Sequence, residues 1–250
     1  MNISLEEINE IITYLRYTYQ RGNSLQARDF YDRVSPDTPP VLLIHGFLGT
    51  RGAMLPMELR LKRDGFVVFS IDLGVFNIGD IRRSALRIHQ KIQRILREVD
   101  LEKIDVVGHS MGGLIGMYYI KKLSGHQFVR KMITLGTPHQ GTWITMLGIA
   151  VMGLLAPSVW QMVPDNFFLK ELQADPLPIG PNYHAIAGTY DAVCPAERSR
   201  LDGAHNVEIP CGHAALATSA KVYHVIRDIL LDNPLQNSDN KAQLFKNEPL

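Results

Sequence analysis

The strongest constraint on the fold is a regular alternation of short apolar runs and helical stretches that begins at Val41. Runs such as VLLI, FVVF and IDVV are rich in β-branched side chains, and each precedes a stretch with helical spacing. Short continuous apolar runs are typical of strands buried on both faces, and parallel strands need a long crossover between them. The pattern therefore predicts an α/β chain with a mostly parallel sheet covered by helices.

The size of the chain favours one domain. With 250 residues, 46% of them hydrophobic, it can bury one sizeable core, so we predict a single domain over 1–232. Its polar end, 233–250, contains two prolines and is predicted to be disordered.

A capping-box spacing predicts an amphipathic helix over 4–20, and we expect its apolar face to pack on the core rather than on a membrane. The residues of that face are Ile8, Ile11, Ile12 and Leu15.

Charge and the amino-terminal residues exclude several functions. The chain has 26 Lys and Arg against 25 Asp and Glu, a net charge of +1, so it has no electrostatic signature of nucleic-acid binding. The basic residues of 80–99 are expected to form a solvated helix face. Acidic residues precede any apolar run in MNISLEEINE, which is unlike a secretory signal, and we expect a cytoplasmic location.

The segment GHSMGG at 108–113 is the strongest chemical signal. It follows the apolar run IDVV and precedes the helical stretch LIGMYYIKKL, which is the strand, turn and helix context of a nucleophile elbow. Such a turn holds a serine in a strained conformation, and glycines beside it avoid collisions with the neighbouring backbone. We predict that Ser110 is a nucleophile at the carboxyl end of the sheet.

A serine hydroxyl needs a base to remove its proton and an acid to orient that base. In this arrangement the acid and the histidine follow the serine in that order, each after a later strand. Asp191 follows the strand-like run YHAIAGT, and His213 follows NVEIP. We therefore predict a Ser110, Asp191 and His213 triad, with Asp202 and Glu197 as weaker rivals for the acid.

The other histidines fit the role of base less well. Most fall inside predicted strands or on helices, His139 precedes the acid, and His205 leads into a strand.

The oxyanion of a tetrahedral intermediate also needs two hydrogen-bond donors. We predict the backbone N–H groups of Met111, after the nucleophile, and of Phe47, in the loop after the first parallel strand.

Five short segments support this interpretation together. They are HGFLGT at 45–50, GHSMGG at 108–113, TLGTPHQGT at 134–142, AGTYDAVCP at 187–195 and CGHAAL at 211–216. In this order they resemble a bacterial lipase or esterase of the α/β-hydrolase superfamily, from about Val41 to Leu231. The resemblance implies the α/β-hydrolase fold, acyl ester substrates, the same two oxyanion donors and no cofactor. It departs from relatives with a calcium site, because AALATSAKVYHV after His213 lacks acidic residues, and we expect no metal.

A long uncharged segment lies between Lys131 and Asp165. Its run WITMLGIAVMGLL resembles part of a membrane span, but a span there would separate Ser110 from Asp191 and His213. We predict instead a helical cap over about 141–181, with an apolar wall and possible transient contact with a lipid surface; an ordinary buried helix pair is the alternative. The candidate substrate-binding residues are Leu48, Trp143, Met146 and Leu147.

Two cysteines flank the predicted acid and base. Cys194 lies three residues after Asp191, and Cys211 two residues before His213, so a disulfide and two reduced thiols both remain open.

For the function we expect a serine carboxylic ester hydrolase acting through an acyl-enzyme. The alternatives are an acyltransferase or thioesterase with the same triad, and a catalytically silent module that binds a lipid or a protein partner.

Overall fold

A computed structural model describes residues 5–19, 34–74, 77–145 and 156–233. Within these ranges six strands form one parallel sheet in the order β2-β1-β3-β4-β5-β6. The predicted α/β architecture is confirmed. The strands are β1 (Val41–Ile44), β2 (Val68–Ser70), β3 (Ile104–His109), β4 (Val129–Leu135), β5 (Asn182–Gly188) and β6 (His205–Ile209).

Helices connect the strands and cover both faces of the sheet. In β3 every residue is buried, as the apolar run predicts for a central strand. Two clusters of buried apolar side chains lie on the two faces of the sheet. The helices are α1 (Leu5–Tyr19), α2 (Leu55–Arg63), α3 (Ile81–Val99), α4 (Met111–Lys122), α5 (Pro157–Gln161), α6 (Phe167–Gln173), α7 (Ala196–Ser199), α8 (Ala215–Thr218) and α9 (Ala220–Leu230).

The parallel topology gathers the ends of several strands at one edge of the sheet. Ser110 follows β3, Asp191 follows β5, and His213 follows β6. Since all six strands run in the same direction, the loops that carry these side chains leave the sheet at its carboxyl edge. Residues that are far apart in the sequence are therefore brought together above the sheet.

The amino-terminal helix forms at α1, but its packing differs from our prediction. The predicted core-facing side chains are exposed, from 40% for Ile8 to 56% for Ile12. The helix contacts the turn at Arg51–Met54 and helix α8, so Tyr14 and Thr18 face the protein instead. Hydrophobic spacing predicted the helix correctly. It predicted the wrong buried face, because α1 packs on loops above the sheet and not on the core.

The insertion between β4 and β5 contains α5 and α6, and these helices pack on α3 and α4. The Gln161 side chain of α5 accepts a hydrogen bond from the Ile81 N–H, 2.8 Å, and Arg82 pairs with Glu171 of α6, 2.5 Å. The other face of α3 is solvated, as predicted: Arg83, Arg87, Arg94 and Arg97 are exposed. Part of the predicted cap, 146–155, and the predicted disordered tail from 234 lie outside the described residues.

Candidate active site

Ser110 lies at a sharp turn between β3 and α4. Its φ of 54° and ψ of −128° belong to a conformation that a residue with a Cβ adopts only under strain. Two hydrogen bonds hold the turn: the Ser110 N–H donates to the Leu135 carbonyl, 2.7 Å, and the Thr137 hydroxyl donates to the Ser110 carbonyl, 3.0 Å. Both partners come from the end of β4, so the neighbouring strand fixes the position of this serine.

The glycines on both sides of Ser110 are required by close backbone contacts. A Cβ on Gly108 would lie 2.6 Å from the Gly113 nitrogen, and one on Gly112 would lie 2.4 Å from the Ile44 carbonyl oxygen. Both distances are far inside van der Waals contact, and the neighbours are backbone atoms that cannot rotate away. This is the steric role that the spacing of GHSMGG predicts.

Asp191 and His213 form a hydrogen-bonded pair. His213 Nδ1 lies 2.6 Å from Asp191 Oδ2, and the other carboxylate oxygen accepts the N–H groups of Val193, 2.9 Å, and Cys194, 2.7 Å. The carboxylate is therefore anchored by its own loop before it meets the imidazole. With Nδ1–H donating to the acid, the free lone pair of the ring is on Nε2, the atom that a general base uses.

The Ser110 hydroxyl and the His213 ring line the same cavity, and no hydrogen bond joins them in this structure. Such bonds are often long before substrate binds and shorten in the reacting complex.

His109, next to Ser110, contacts the backbone of His213. Its Nε2 donates a hydrogen bond to the backbone carbonyl of His213, 3.0 Å. Burial, followed by the neighbouring His213, lowers the pKa of His109 to about 3, so the ring is neutral. The sequence marked His109 only as a residue within the elbow, and no spacing rule predicts this contact.

The predicted oxyanion donors come from two different loops. Met111 is the first residue of α4, so its N–H has no acceptor within the helix. Phe47 lies in the loop after β1 and lines the same cavity as Ser110. The buried side chain of Asn77 donates to the carbonyls of His45 and Gly46, 3.2 and 3.3 Å, and so holds this loop in place.

The cavity above Ser110 is small and mostly apolar. It measures about 250 Å³ and opens between α1, the insertion between β4 and β5, and the loop after β1 that contains His45, Gly46 and Phe47, here called the oxyanion loop. Burial raises the pKa of Tyr14, on α1, to about 12, so its hydroxyl stays protonated at neutral pH. The apolar lining includes Phe47, Pro138, Ile144, Val159, Met162 and Val193.

Of the four predicted substrate-binding residues, the two that the structure describes, Leu48 and Trp143, do not line the cavity. Leu48 and Trp143 are 44% and 56% exposed, and the Trp143 ring stacks under the Arg198 guanidinium. Met146 and Leu147 lie outside the described residues. Tyr14 and Val193 line the cavity instead. Apolar spacing predicts a different inner face for α1, so no pattern in the sequence points to Tyr14.

Both cysteines are buried free thiols. Burial is the main cause that raises the pKa of each thiol, to about 12 for Cys211. The loops that carry them do converge, since the Tyr190 N–H donates to the Cys211 carbonyl, 3.2 Å. The backbone thus connects the acid and base loops in this structure.

His139 of the TPHQ segment is buried away from the triad. Its Nε2 lies 3.2 Å from the Thr134 hydroxyl, and burial is the main cause that lowers its pKa to about 3. Its position on a structural hydrogen bond agrees with the choice of His213 over His139.

Two features are absent from the part of the chain that the structure describes: a metal-binding cluster and a helix able to span a membrane. Among those residues no group of three or more His, Cys, Asp and Glu side chains is arranged to hold a metal ion. No helix there has the length and apolar character to cross a membrane.

Comparison with known proteins gives a family and distant relatives. The family model for the alpha/beta hydrolase fold matches residues 39–167, just over half of the chain. Two triacylglycerol lipases, from Pseudarthrobacter phenanthrenivorans and Burkholderia plantarii, are each 27% identical over 110 residues, which is 41% of this chain. The chain spans about a third of the length of these curated relatives, 34% and 30%.

Solved structures give the same fold over a larger part of the chain. A lipase of Bacillus licheniformis in its mature form has a TM-score of 0.69 at 20% identity, covering 78% of this chain and 93% of that one. Lipase B of Aspergillus fumigatus has a TM-score of 0.66 at 15% identity, covering 88% and 60%. By its family-model match, its parallel sheet and these structural neighbours, the chain belongs to the α/β-hydrolase fold family.

Proposed function

We propose that this hydrolase cleaves carboxylic esters with apolar acyl groups, using Ser110 as nucleophile, His213 as general base and acid, and Asp191 to orient His213. One observation carries the proposal. Ser110, in a strained backbone conformation, lines the same apolar cavity as His213, and Nδ1 of His213 lies 2.6 Å from the Asp191 carboxylate. A binding module has no need of a serine in a strained conformation or of an anchored acid.

The reaction proceeds in two balanced steps. Ser110 Oγ attacks the ester carbonyl as its proton passes to His213 Nε2, and the N–H groups of Phe47 and Met111 stabilise the oxyanion. The bond to the alcohol oxygen then breaks, and that oxygen takes the proton from Nε2. Water then attacks the acyl-enzyme as one of its protons passes to His213 Nε2, the bond between the acyl carbon and Ser110 Oγ breaks, and Oγ takes the proton from Nε2, which leaves a carboxylic acid and free Ser110.

The apolar cavity supports an apolar acyl group. Apart from Ser110 and the histidines, its wall is mostly aliphatic and aromatic, and about 0.8 kcal/mol is gained for each methylene removed from water. The lipases among the relatives are consistent with such substrates. No cofactor is needed for this chemistry.

The test is a serine-directed label combined with turnover. A fluorophosphonate probe should modify Ser110, and Ser110→Ala should lose both labelling and hydrolysis of p-nitrophenyl butyrate while keeping its urea midpoint. Retained turnover in Ser110→Ala would overturn the assignment. Adding an alcohol or thiol acceptor separates a hydrolase from an acyltransferase, because transfer products would exceed free acid in the second case.

Transient contact with a lipid surface is a further part of the proposal. Apolar side chains near the cavity are exposed, among them Ile144, Tyr190 and Ile11. Sedimentation with phosphatidylcholine vesicles tests it, and protein left entirely in the supernatant would contradict it.

A further inference from the structure

A second apolar cleft adjoins the cavity of Ser110. It measures about 330 Å³, which is within the range of small-molecule sites. Tyr14, Val193 and His213 line both spaces and therefore form the boundary between them. Ser110 and Phe47 line the first cavity and not the second. Ile11 and Ala192 line the second and not the first.

The chemistry of His213 gives this second space a role. After Ser110 attacks, the proton held on Nε2 must reach the oxygen of the departing alcohol. The alcohol oxygen must therefore come within hydrogen-bond distance of the imidazole while the acyl carbon stays bonded to Ser110. A group attached to that oxygen has to occupy space beside His213, and the second cleft supplies it.

We propose that this cleft, here called the alcohol cleft, binds the alcohol part of the ester and selects neutral, apolar alkyl or aryl alcohols. The proposal rests on the ester hydrolysis proposed above and deepens it. In this arrangement the acyl chain lies in the cavity of Ser110, the alcohol chain lies in the alcohol cleft, and the ester carbonyl lies at their boundary.

The charge of the lining supports a neutral alcohol. Among the described residues that line the alcohol cleft, Glu10 is acidic, and none is Lys or Arg. A carboxylate or phosphate on the alcohol would have to leave water beside an acidic side chain, and no Lys or Arg among the described lining residues would offset the cost. Phosphate-bearing alcohols, as in phospholipids, are therefore disfavoured.

Helix α1 makes this cleft a property of the chain rather than of the shared fold. The family model begins at residue 39, and α1 spans Leu5–Tyr19. Glu10, Ile11 and Tyr14 all project from α1 into the cleft wall. Tyr14 lies four residues after Glu10 and three after Ile11, so it is a neighbour of both on the helix surface. Without α1 this space would be open on that side.

A series of butyrate esters with a constant acyl group tests the proposal. Full burial of a methylene is worth about fourfold in affinity, so we expect kcat/KM to rise by roughly tenfold to sixtyfold from the methyl to the butyl ester. A carboxylate at the far end of the alcohol, as in the butyrate ester of 6-hydroxyhexanoate, should lower kcat/KM at least tenfold relative to hexyl butyrate.

Two neighbouring isoleucines of α1 provide a matched pair of variants. Ile11 lines the alcohol cleft and is 44% exposed, whereas Ile12 lines neither space and is 56% exposed. Ile11→Glu should reduce the ratio of butyl to methyl turnover about tenfold, and Ile12→Glu should leave that ratio unchanged. Ala192→Phe, which fills the cleft from an exposed position on another loop, should also lower the ratio of butyl to methyl turnover.

The outcomes separate the two proposals. The alcohol cleft is overturned, and ester hydrolysis is not, if methyl butyrate is hydrolysed and kcat/KM does not change with the length of the alcohol. The same holds if Ile11→Glu and Ile12→Glu have equal effects on the ratio of butyl to methyl turnover. An effect of Ile11→Glu on a series of acyl chains instead of alcohol chains also overturns the alcohol cleft. Absence of any ester turnover by the wild type defeats the proposed function, and the alcohol cleft with it.

Discussion

The imidazole of His109 donates a hydrogen bond from Nε2 to the backbone carbonyl of His213, over 3.0 Å. The two rings lie 4.8 Å apart between centroids. The residue before the proposed nucleophile therefore supports the backbone of the proposed base, although the two are 104 positions apart in the chain. This contact couples the end of β3 to the loop after β6.

His109 is a positioning residue, and its replacement should lower turnover without removing the triad. We expect His109→Phe to reduce kcat for p-nitrophenyl butyrate by tenfold to a hundredfold, because the unsupported His213 loop shifts the base and the carbonyl loses its donor. His109→Gln, whose amide can donate to the same carbonyl, should recover part of this loss. If both variants behaved alike, the hydrogen bond would not be the cause.

Asp191→Asn should lower kcat about ten-thousandfold, the effect known for the equivalent change in a serine protease triad. The amide can keep the bonds from the Val193 and Cys194 N–H groups through its oxygen, but its NH2 then faces His213 Nδ1 and favours the wrong tautomer. Asp202→Asn, on the exposed rival acid, is the control and should retain full activity. A large loss in Asp202→Asn would reassign the acid.

Chain order could bring the three candidate triad residues to one edge of the sheet because the sheet is parallel. Ser110, Asp191 and His213 each follow an apolar run, and every run that forms a parallel strand delivers its next loop to the same edge. The close approaches of Gly108 and Gly112 were also predictable, since the elbow has a fixed backbone geometry. Local pattern and topology were sufficient for these features.

The residues that surround the triad were not predictable in the same way. Tyr14, Asn77 and His109 act through contacts across 31 to 104 positions or through the packing of a helix on loops, and periodicity carries no information about either. The apolar spacing of α1 even predicted the wrong inner face. Leu48 and Trp143 are apolar residues near the predicted site in the sequence, but in the structure both are exposed.

Asn77 should matter for turnover because it holds the oxyanion loop. Asn77→Gly removes both side-chain bonds to the His45 and Gly46 carbonyls and suits the positive φ of 48°. We expect kcat to fall tenfold to a hundredfold, with a smaller change in KM, as the Phe47 N–H moves from its position. Asn206→Gly removes a comparable set of loop hydrogen bonds near β6 and should leave kcat unchanged. Equal losses of kcat would indicate general destabilisation.

Two buried neutral histidines should make the protein sensitive to acid. The pKa values of His109 and His139 are lowered from 6.5 to about 3, mainly by burial, so between these values the unfolded chain binds more protons than the folded one. Stability is therefore complete above about pH 6.5 and decreases as the pH falls toward 3, by up to about 1.4 kcal/mol per pH unit for each histidine.

Urea unfolding of the wild type and His139→Gln between pH 7 and pH 5 tests this linkage. The variant retains an amide that can donate to Thr134 and lacks the titrating ring, so its free energy of unfolding should change less steeply with pH. Identical slopes in the two proteins would show that His139 titrates normally when folded.

Gly136 should be needed for the alignment of Asp191 and His213. It has a φ of +54°, and a Cβ there would lie 3.0 Å from Asp191 Oδ2, 3.1 Å from His213 Nδ1 and 2.7 Å from a methyl of Leu216. Gly136→Ala therefore adds a methyl group beside the hydrogen bond that orients the base. We expect kcat to fall at least a hundredfold, because an error of about 1 Å in such a group has an effect of this size.

Backbone strain alone must be separated from this steric effect. Gly65→Ala is the matched control, since Gly65 also has a positive φ, +92°, and its added Cβ would meet no atom within 4 Å. Both variants should lose stability through the unfavourable φ, by roughly 1–2 kcal/mol. Only Gly136→Ala should lose activity beyond that, measured as kcat at a temperature where both remain folded. If Gly136→Ala kept the kcat of Gly65→Ala, the methyl group would be accommodated without moving Asp191 and His213. The close packing of the residue after β4 against these two side chains would then have no part in catalysis.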